Sequence, residues 1–277
     1  MDLISVGFVG GGNMTRAIAG GLLASGFSAA HMLIAEPSAE RRETLRQELA
    51  DVAITDDNSE VAANSDCMVL AVKPQILAMV CRDLAEQAQR TKPLIVSIAA
   101  GVRSEDIDRW LGGHFAIVRV MPNQPALLRQ GVSGIFANER VTATEYAGAE
   151  RIMAAVGRVV RVPREADIDA VTAVSGSGPA YLYLLIDMLI QTARTLGLDE
   201  QAAATLALET ACGAAALAAA SDESMQELIA RVRSPGGTTA AALDSLEEQN
   251  IRGIFANALT AARDRAVALA DEAHKQD

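Results

Sequence analysis

The residues best placed to do chemistry stand at the start of the chain. Gly10-Gly11-Gly12-Asn13-Met14-Thr15 follows the apolar run Ile4–Val9 directly, and a helical pattern begins at Met14. Gly10 permits a tight turn, and Gly12 lets the backbone approach a pyrophosphate. The first helical turn, opened by Asn13 and Met14, then offers free N–H groups and the positive end of a helix dipole. Such a loop binds a dinucleotide. Glu36 lies 24 residues beyond Gly12, at the end of the second strand-like run, where a carboxylate accepts from ribose hydroxyls and repels a 2′-phosphate. That arrangement favours NADH. Arg41 and Arg42 follow closely and read either as phosphate ligands or as solvated helix charges. Thr15 stands where this fingerprint prefers Gly or Ala, a departure expected to loosen helix–strand contact.

Three further strand ends should share an edge with this loop: Ala71-Val72-Lys73-Pro74, Ala99-Ala100-Gly101 and Met121-Pro122-Asn123. They offer small residues or amides against which a nicotinamide could lie flat. Lys73 reads more readily as a phosphate-edge or solvated lysine than as a proton donor. Far downstream, Ser234-Pro235-Gly236-Gly237-Thr238-Thr239 breaks two helices. Its glycines allow close approach, and the helix after it presents N–H groups to an anion. Taken alone, it is equally a helix–helix turn with threonine caps. Ser175, in Ser175-Gly176-Ser177-Gly178-Pro179, either contacts a ligand or caps a helix. No metal site is expected, because His31, His114 and His274 are isolated in sequence.

These residues need a scaffold. Strand candidates are Ile4–Val9, Met32–Ala35, Met68–Val72, Leu94–Ile98 and Ala116–Val120, with helices at Met14–Ser25, Ala39–Ala50 and Gln75–Ala88 between them. This alternation predicts βαβ units and a mainly parallel sheet. Val132–Phe136 and Val159–Val162 could add edge strands around a helix at Ala143–Val156. From about Ile168 onward the pattern is helical throughout. Pro179 suits the first turn of one helix, Asp199 caps the next, Ser224 and Glu227 form a capping box, and a last helix runs from Gly253 to His274. The expected division is 1–165 and 166–277.

The 277 residues are half hydrophobic, with 3% aromatics and a net charge of −11. That balance argues against a nucleic-acid partner, which needs a basic footprint. Three widely separated cysteines, Cys67, Cys81 and Cys212, suit reduced thiols in a cytoplasm. No signal peptide is expected. No membrane span is expected either, since the apolar window Ala180–Ile190 is interrupted by Asp187. A helix as apolar as Pro179–Leu196 points to packing against a second copy.

The chain resembles the pyrroline-5-carboxylate reductase family over essentially its whole length. The resemblance rests on Gly7-Phe8-Val9-Gly10-Gly11-Gly12-Asn13-Met14, Ala71-Val72-Lys73-Pro74, Ser97-Ile98-Ala99-Ala100-Gly101-Val102 and Arg119-Val120-Met121-Pro122-Asn123. Val174-Ser175-Gly176-Ser177-Gly178-Pro179-Ala180-Tyr181 and Ser234–Thr239 complete it and are the most specific together. The resemblance implies an α/β fold, an N-terminal Rossmann-type doubly wound sheet followed by an all-α dimerisation domain. It implies reduction of the cyclic imine Δ1-pyrroline-5-carboxylate to L-proline by NAD(P)H, the last step of proline synthesis. It further implies homodimers that often assemble into decamers, with a partner's helical domain completing the substrate site. Thr239 would then hydrogen-bond the ring nitrogen, among the substrate residues Ser175, Ser234, Gly236, Gly237 and Thr238, and Asn58 would contact the cofactor. Two other readings are a β-hydroxyacid or other imine reductase, and a dinucleotide sensor without turnover. Hydroxyacid enzymes of this kind usually rely on a lysine in the helical domain, and residues 168–274 contain none.

Overall fold

The computed structural model describes residues 5–275, so Ile4 of the first expected strand lies outside the described residues. Contacts group the chain into two compact units, 5–177 with 262–275, and Gly178–Ala261.

In the first unit, eight strands form one sheet. They are β1 (Val6–Val9), β2 (Met32–Ala35), β3 (Ala53–Thr55), β4 (Cys67–Leu70), β5 (Leu94–Ser97), β6 (Ile117–Met121), β7 (Gly131–Ala137) and β8 (Gly157–Arg161). Their order is β3-β2-β1-β4-β5-β6-β7-β8, parallel from β3 to β6. The order reverses between β1 and β4, which makes a ligand crevice at the carboxyl ends of those strands. β7 runs antiparallel to β6 and parallel to β8. Of the two expected edge strands, only the β8 segment is an edge; β7 is paired on both sides. The reason is that Gly131–Ala137 buries residues on both faces, which an edge strand does not require.

Side chains alternate across this sheet with the strand period of two. Val6, Phe8, Cys67, Val69, Leu94 and Val96 join one core. It includes Ile18 and Leu22 of α1 (Asn13–Ala24), Leu45 of α2 (Ala39–Glu48) and Ile152 of α6 (Ala143–Ala154). Val9, Met68, Leu70 and Ile95 face a second core. That core holds Val61 of α3 (Asn58–Asn64), Leu77 and Leu84 of α4 (Pro74–Thr91), and Ile107 and Trp110 of α5 (Ser104–Trp110). β3, α3 and α5 escape the sequence reading because three to seven residues are too few to show a period. Only the Asp57 side chain, accepting from Ser59 N at 2.7 Å, signals the start of α3.

The end of the chain returns to this unit. Ala266, Ala270 and Ala273 of α12 (Ile251–His274) are buried. Arg103 pairs with Asp271, and His274 Nδ1 lies 2.6 Å from Oδ1 of the buried Asp106. His274 is therefore not isolated: with Glu105 and Asp106 it forms one group at metal-ligand spacing. Folding joins residues 168 positions apart, which spacing in sequence cannot show. A guanidinium already balances this carboxylate, since Arg109 Nη2 lies 3.0 Å from the same Asp106 oxygen.

The second unit holds α8 (Gly178–Thr195), α9 (Glu200–Ala220), α10 (Met225–Val232), α11 (Thr238–Glu248) and the first half of α12. Asp199 caps α9, and Ser224 with Glu227 forms the expected capping box on α10. Pro179 lies in the first turn of α8, as expected. One continuous helix runs over Asp167–Thr195, through α7 (Asp167–Val171), a wider π turn at Thr172–Gly176, and α8. A π turn absorbs the missing proline N–H that would otherwise break the helix. By length and composition, Asp167–Thr195 and Glu200–Ala220 are both long and apolar enough to cross a membrane, a longer apolar run than the window Ala180–Ile190 shows by itself. Few residues in either apolar stretch are buried within the chain, and Leu182, Leu184, Met188, Leu206 and Leu217 are exposed.

Gly157 offers a direct check of the β7–β8 pairing. Its φ is +150°, and a Cβ there would stand 1.9 Å from the Gly131 carbonyl oxygen. Gly157→Ala should lower unfolding free energy by about 2–4 kcal/mol, as backbone strain and overpacking do; urea unfolding followed by circular dichroism checks it.

Candidate active site

The glycine loop sits at the switch point, where its geometry is set by near-contacts with the neighbouring strands. Gly10 has φ +103°, and a Cβ there would lie 2.9 Å from the Ala71 carbonyl oxygen and 3.1 Å from Val72. Only glycine can therefore bring the ends of β1 and β4 this close. A Cβ on Gly11 would meet Leu45 at 2.6 Å and Glu36 at 3.0 Å, whereas a Cβ on Gly12 would meet nothing within 4 Å. The open side of the loop thus faces outward at Gly12. Gly12 is the N-cap of α1, makes no side-chain cap, and leaves the N–H groups of the first turn, from Asn13 and Met14 onward, facing that space. A diphosphate fits there on backbone donors and dipole.

Thr15 reverses the expectation attached to it. Rather than loosening the contact, it is fully buried, and its hydroxyl donates to the Gly10 carbonyl at 2.6 Å. The hydroxyl ties the helix to the loop, a role that glycine or alanine could not fill. Glu36 is 4% exposed, and its two carboxylate oxygens accept from Gly11 N (3.1 Å) and Ser38 N (2.9 Å). It therefore braces the loop against the end of β2. Of the two arginines, Arg41 is exposed, while Arg42 is held. Its Nη1 donates to the Glu36 and Pro37 carbonyls at 2.9 Å, and its Nη2 lies 3.3 Å from Asp56 Oδ2. Asp56 was not singled out by sequence, because β3 before it went unrecognised. Asn58, half-buried, is the first residue of α3 at the same strand-end edge.

The other strand ends gather as expected. Lys73 is exposed and N-caps α4 with Pro74 at its first position. Ala99 is buried after β5, and Gly101, with φ +65°, lies against the C-terminal helix, its notional Cβ 2.9 Å from Leu269. Asn123 after β6 is buried and engaged: its Oδ1 accepts from Val132 N at 2.9 Å, and its Nδ2 donates to the Ser175 carbonyl at 3.2 Å. That carbonyl is four residues before Pro179, whose missing N–H leaves it open for Asn123. Gly176 approaches Met121, its notional Cβ 2.5 Å from the methionine methyl carbon. The fold thus brings Ser175 and Asn123 together. The Ser175 hydroxyl donates to Val171 O at 3.0 Å, within its own helix.

Ser234–Thr239 lies in the second unit. Gly236 has φ +68°, and Gly237 packs so close to Ser234 that a Cβ would stand 2.3 Å from its hydroxyl oxygen. Gly237 is the N-cap of α11 and has no side-chain cap, so Thr238 and Thr239 open a helix with free N–H donors. Ser234 and Gly236 are exposed and Thr239 is half-buried. Ion pairing of Arg233 with Asp244 at 2.6 Å fixes the turn to α11. Cysteine chemistry finds no support in the first unit: burial raises the Cys67 thiol far above its ordinary range and pushes Cys81 up to about 12.

A doubly wound sheet with an uncapped helix behind a glycine loop at its switch point defines a dinucleotide-dependent oxidoreductase. Comparison narrows that class. The family described as pyrroline-5-carboxylate reductase dimerisation matches residues 165–269, and that described as NADP oxidoreductase coenzyme F420-dependent matches residues 5–101. A pyrroline-5-carboxylate reductase of Pseudomonas aeruginosa is 43% identical over 98% of this chain and 99% of its own. The solved pyrroline-5-carboxylate reductase of Coxiella burnetii is 41% identical, with a TM-score of 0.91 over 97% of this chain and 99% of that one. The Plasmodium falciparum enzyme, solved with NADP bound, is 31% identical, with a TM-score of 0.86 over 98% and 99% of the two chains. The chain belongs to the pyrroline-5-carboxylate reductase family.

Thr15→Val keeps the shape but removes the donor to Gly10. It should lower stability by about 1–3 kcal/mol, the cost of an unsatisfied buried carbonyl. It should also weaken dinucleotide binding several-fold, measured by calorimetric titration alongside thermal unfolding.

Proposed function

We propose that this chain reduces Δ1-pyrroline-5-carboxylate to L-proline with NAD(P)H, the last step of proline biosynthesis. The reading is carried by the N-terminus of α11, which has no side-chain cap and where Thr238 and Thr239 offer backbone donors and a hydroxyl together. The bound nicotinamide supplies the hydride. Gly10, Gly12, Asn13 and Met14 hold the diphosphate, and Glu36 and Asn58 stand at the ribose end. Ala71–Pro74, Ala99, Gly101 and Asn123 form the strand-end edge against which the ring lies.

A substrate with one carboxylate and one imine nitrogen matches the α11 turn. The N–H groups of Thr238 and Thr239 receive the carboxylate, and exposed Ser234 and Gly236 allow close approach, while the Gly237 N–H closes the turn on the Ser234 carbonyl at 3.0 Å. Thr239 donates its hydroxyl hydrogen bond to the ring nitrogen, orienting and polarising the C=N bond. A threonine is too weak an acid to give up that proton, so solvent or an already protonated imine supplies it. Ser175, whose carbonyl accepts from Asn123 at the strand-end edge, is a further substrate contact on the family resemblance. A β-hydroxyacid substrate fits less well, since residues 168–274 hold no lysine to act as the acid.

Self-association follows from the same helices. Their exposed leucines and methionines call for cover, and the match to the dimerisation family supports a second copy rather than lipid as that cover. We take the assembly to be a homodimer, with a pentamer of dimers as the larger form. The partner's helical region completes the substrate site, and the domain division lies near residue 165. Net charge of −11 leaves no basic footprint for nucleic acid. Three unpaired cysteines suit a cytoplasmic location.

Purified protein should oxidise NADH or NADPH only when pyrroline-5-carboxylate is added, with L-proline as product; no turnover with either cofactor overturns the reading. Thr239→Ala should reduce kcat by about 100-fold, the scale of losing one donor aimed at the reacting centre. Its dissociation constant for the cofactor should stay close to that of the unsubstituted protein, and an equal loss of both would make Thr239 structural.

A further inference from the structure

We propose that Asp56 is a specificity-determining residue, which holds the Arg42 guanidinium away from a ribose 2′-phosphate and so favours NADH over NADPH. The proposal rests on the dinucleotide reading above. Arg42 is the arginine of the first α2 turn whose guanidinium turns back to the end of β2. Both hydrogens of Nη1 are committed to the Glu36 and Pro37 carbonyls, and Nη2 faces Asp56 Oδ2 at 3.3 Å. The side chain is only 15% exposed. A 2′-phosphate takes a guanidinium best as a bidentate partner, through two parallel N–H donors. With Nη1 committed to the backbone, the fork left for a phosphate is Nε with Nη2, and Asp56 engages Nη2.

Charge acts in the same direction. Glu36 places one buried carboxylate at the end of β2, fixed by Gly11 and Ser38. Asp56 adds a second, from the loop after β3. A cation that would otherwise offset them for an incoming phosphate is already paired with one of them. The ribose hydroxyls of NADH need no such cation, only an acceptor. Discrimination therefore lies in an ion pair beside the glycine loop as well as in Glu36 itself.

Asp56→Ala is a clean test, because that side chain is 69% exposed and its removal leaves the core intact. Calorimetric titration of the whole protein with adenosine 5′-monophosphate and adenosine 2′,5′-bisphosphate reads the extra phosphate without turnover. Asp56→Ala should strengthen bisphosphate binding relative to monophosphate by about 3–10-fold, the scale of one partly exposed ion pair. Adding Arg42→Ala should abolish the gain, and Asp56→Glu should restore the original ratio. The NADPH-to-NADH ratio of kcat/KM should move in parallel. An unchanged ratio in Asp56→Ala overturns the proposal, as does a gain that survives Arg42→Ala or a ratio set by Arg41→Ala instead. If the unsubstituted protein bound neither NADH nor NADPH, the dinucleotide reading itself would fall, an outcome distinct from all of these.

Discussion

At Gly10 the backbone turns through a positive φ and passes the Ala71 carbonyl at a distance no side chain tolerates. That approach brings the ends of β1 and β4 together at the point where the strand order reverses. The rest of the cofactor site is built outward from it. Thr15 anchors α1 to the Gly10 carbonyl, and Glu36 anchors the end of β2 to the Gly11 amide. Both groups are buried and both hydrogen-bond to the loop backbone, so the loop is held from two sides while Gly12 stays open. A preorganised loop of this kind binds a diphosphate without first having to order its own donors.

A second helix N-terminus repeats the device in another setting. α11 begins at Gly237 with no side-chain cap, as α1 begins at Gly12. Four N–H groups at each helix start lack intrahelical partners, and a side chain that capped them would compete with a ligand. Five other helices are capped by the side chains of Ser38, Asp57, Thr142, Asp199 and Ser224. At α1 and α11 the cap position is a glycine, which has no side chain to compete with a ligand for those donors. Between them, the π turn at Thr172–Gly176 shows how one residue type propagates. Pro179 has no N–H, the Ser175 carbonyl is released from the helix, and Asn123 takes it to fix the end of β6.

Much of this was legible beforehand because it is local. The glycine loop, the β-branched runs and the cap residues announce themselves within a few positions. The two motifs of the helical half pointed to the family that the comparisons then established. Other features were hidden. β3 is three residues long, too short for a period of two to register, and with it went the setting of Asp56. Thr15 was read as a defect because the fingerprint describes space, whereas the buried hydroxyl acts through a hydrogen bond. Pro179 correctly marks the first turn of α8, but α7 and the π turn before it are five residues each, too short to show a period.

The sequence by itself determined the alternation of strands and helices, the glycine positions that require positive φ or close approach, and the residue types offered to a dinucleotide and a small acid. These depend on steric rules and periodicities that act within a turn or a strand. Only the tertiary structure decided that β7 is an interior strand and that His274 meets Asp106. It alone showed Arg42 to be captive between two carbonyls and Asp56. Those outcomes depend on which groups meet across many residues of chain, where burial leaves each donor and charge a single set of partners.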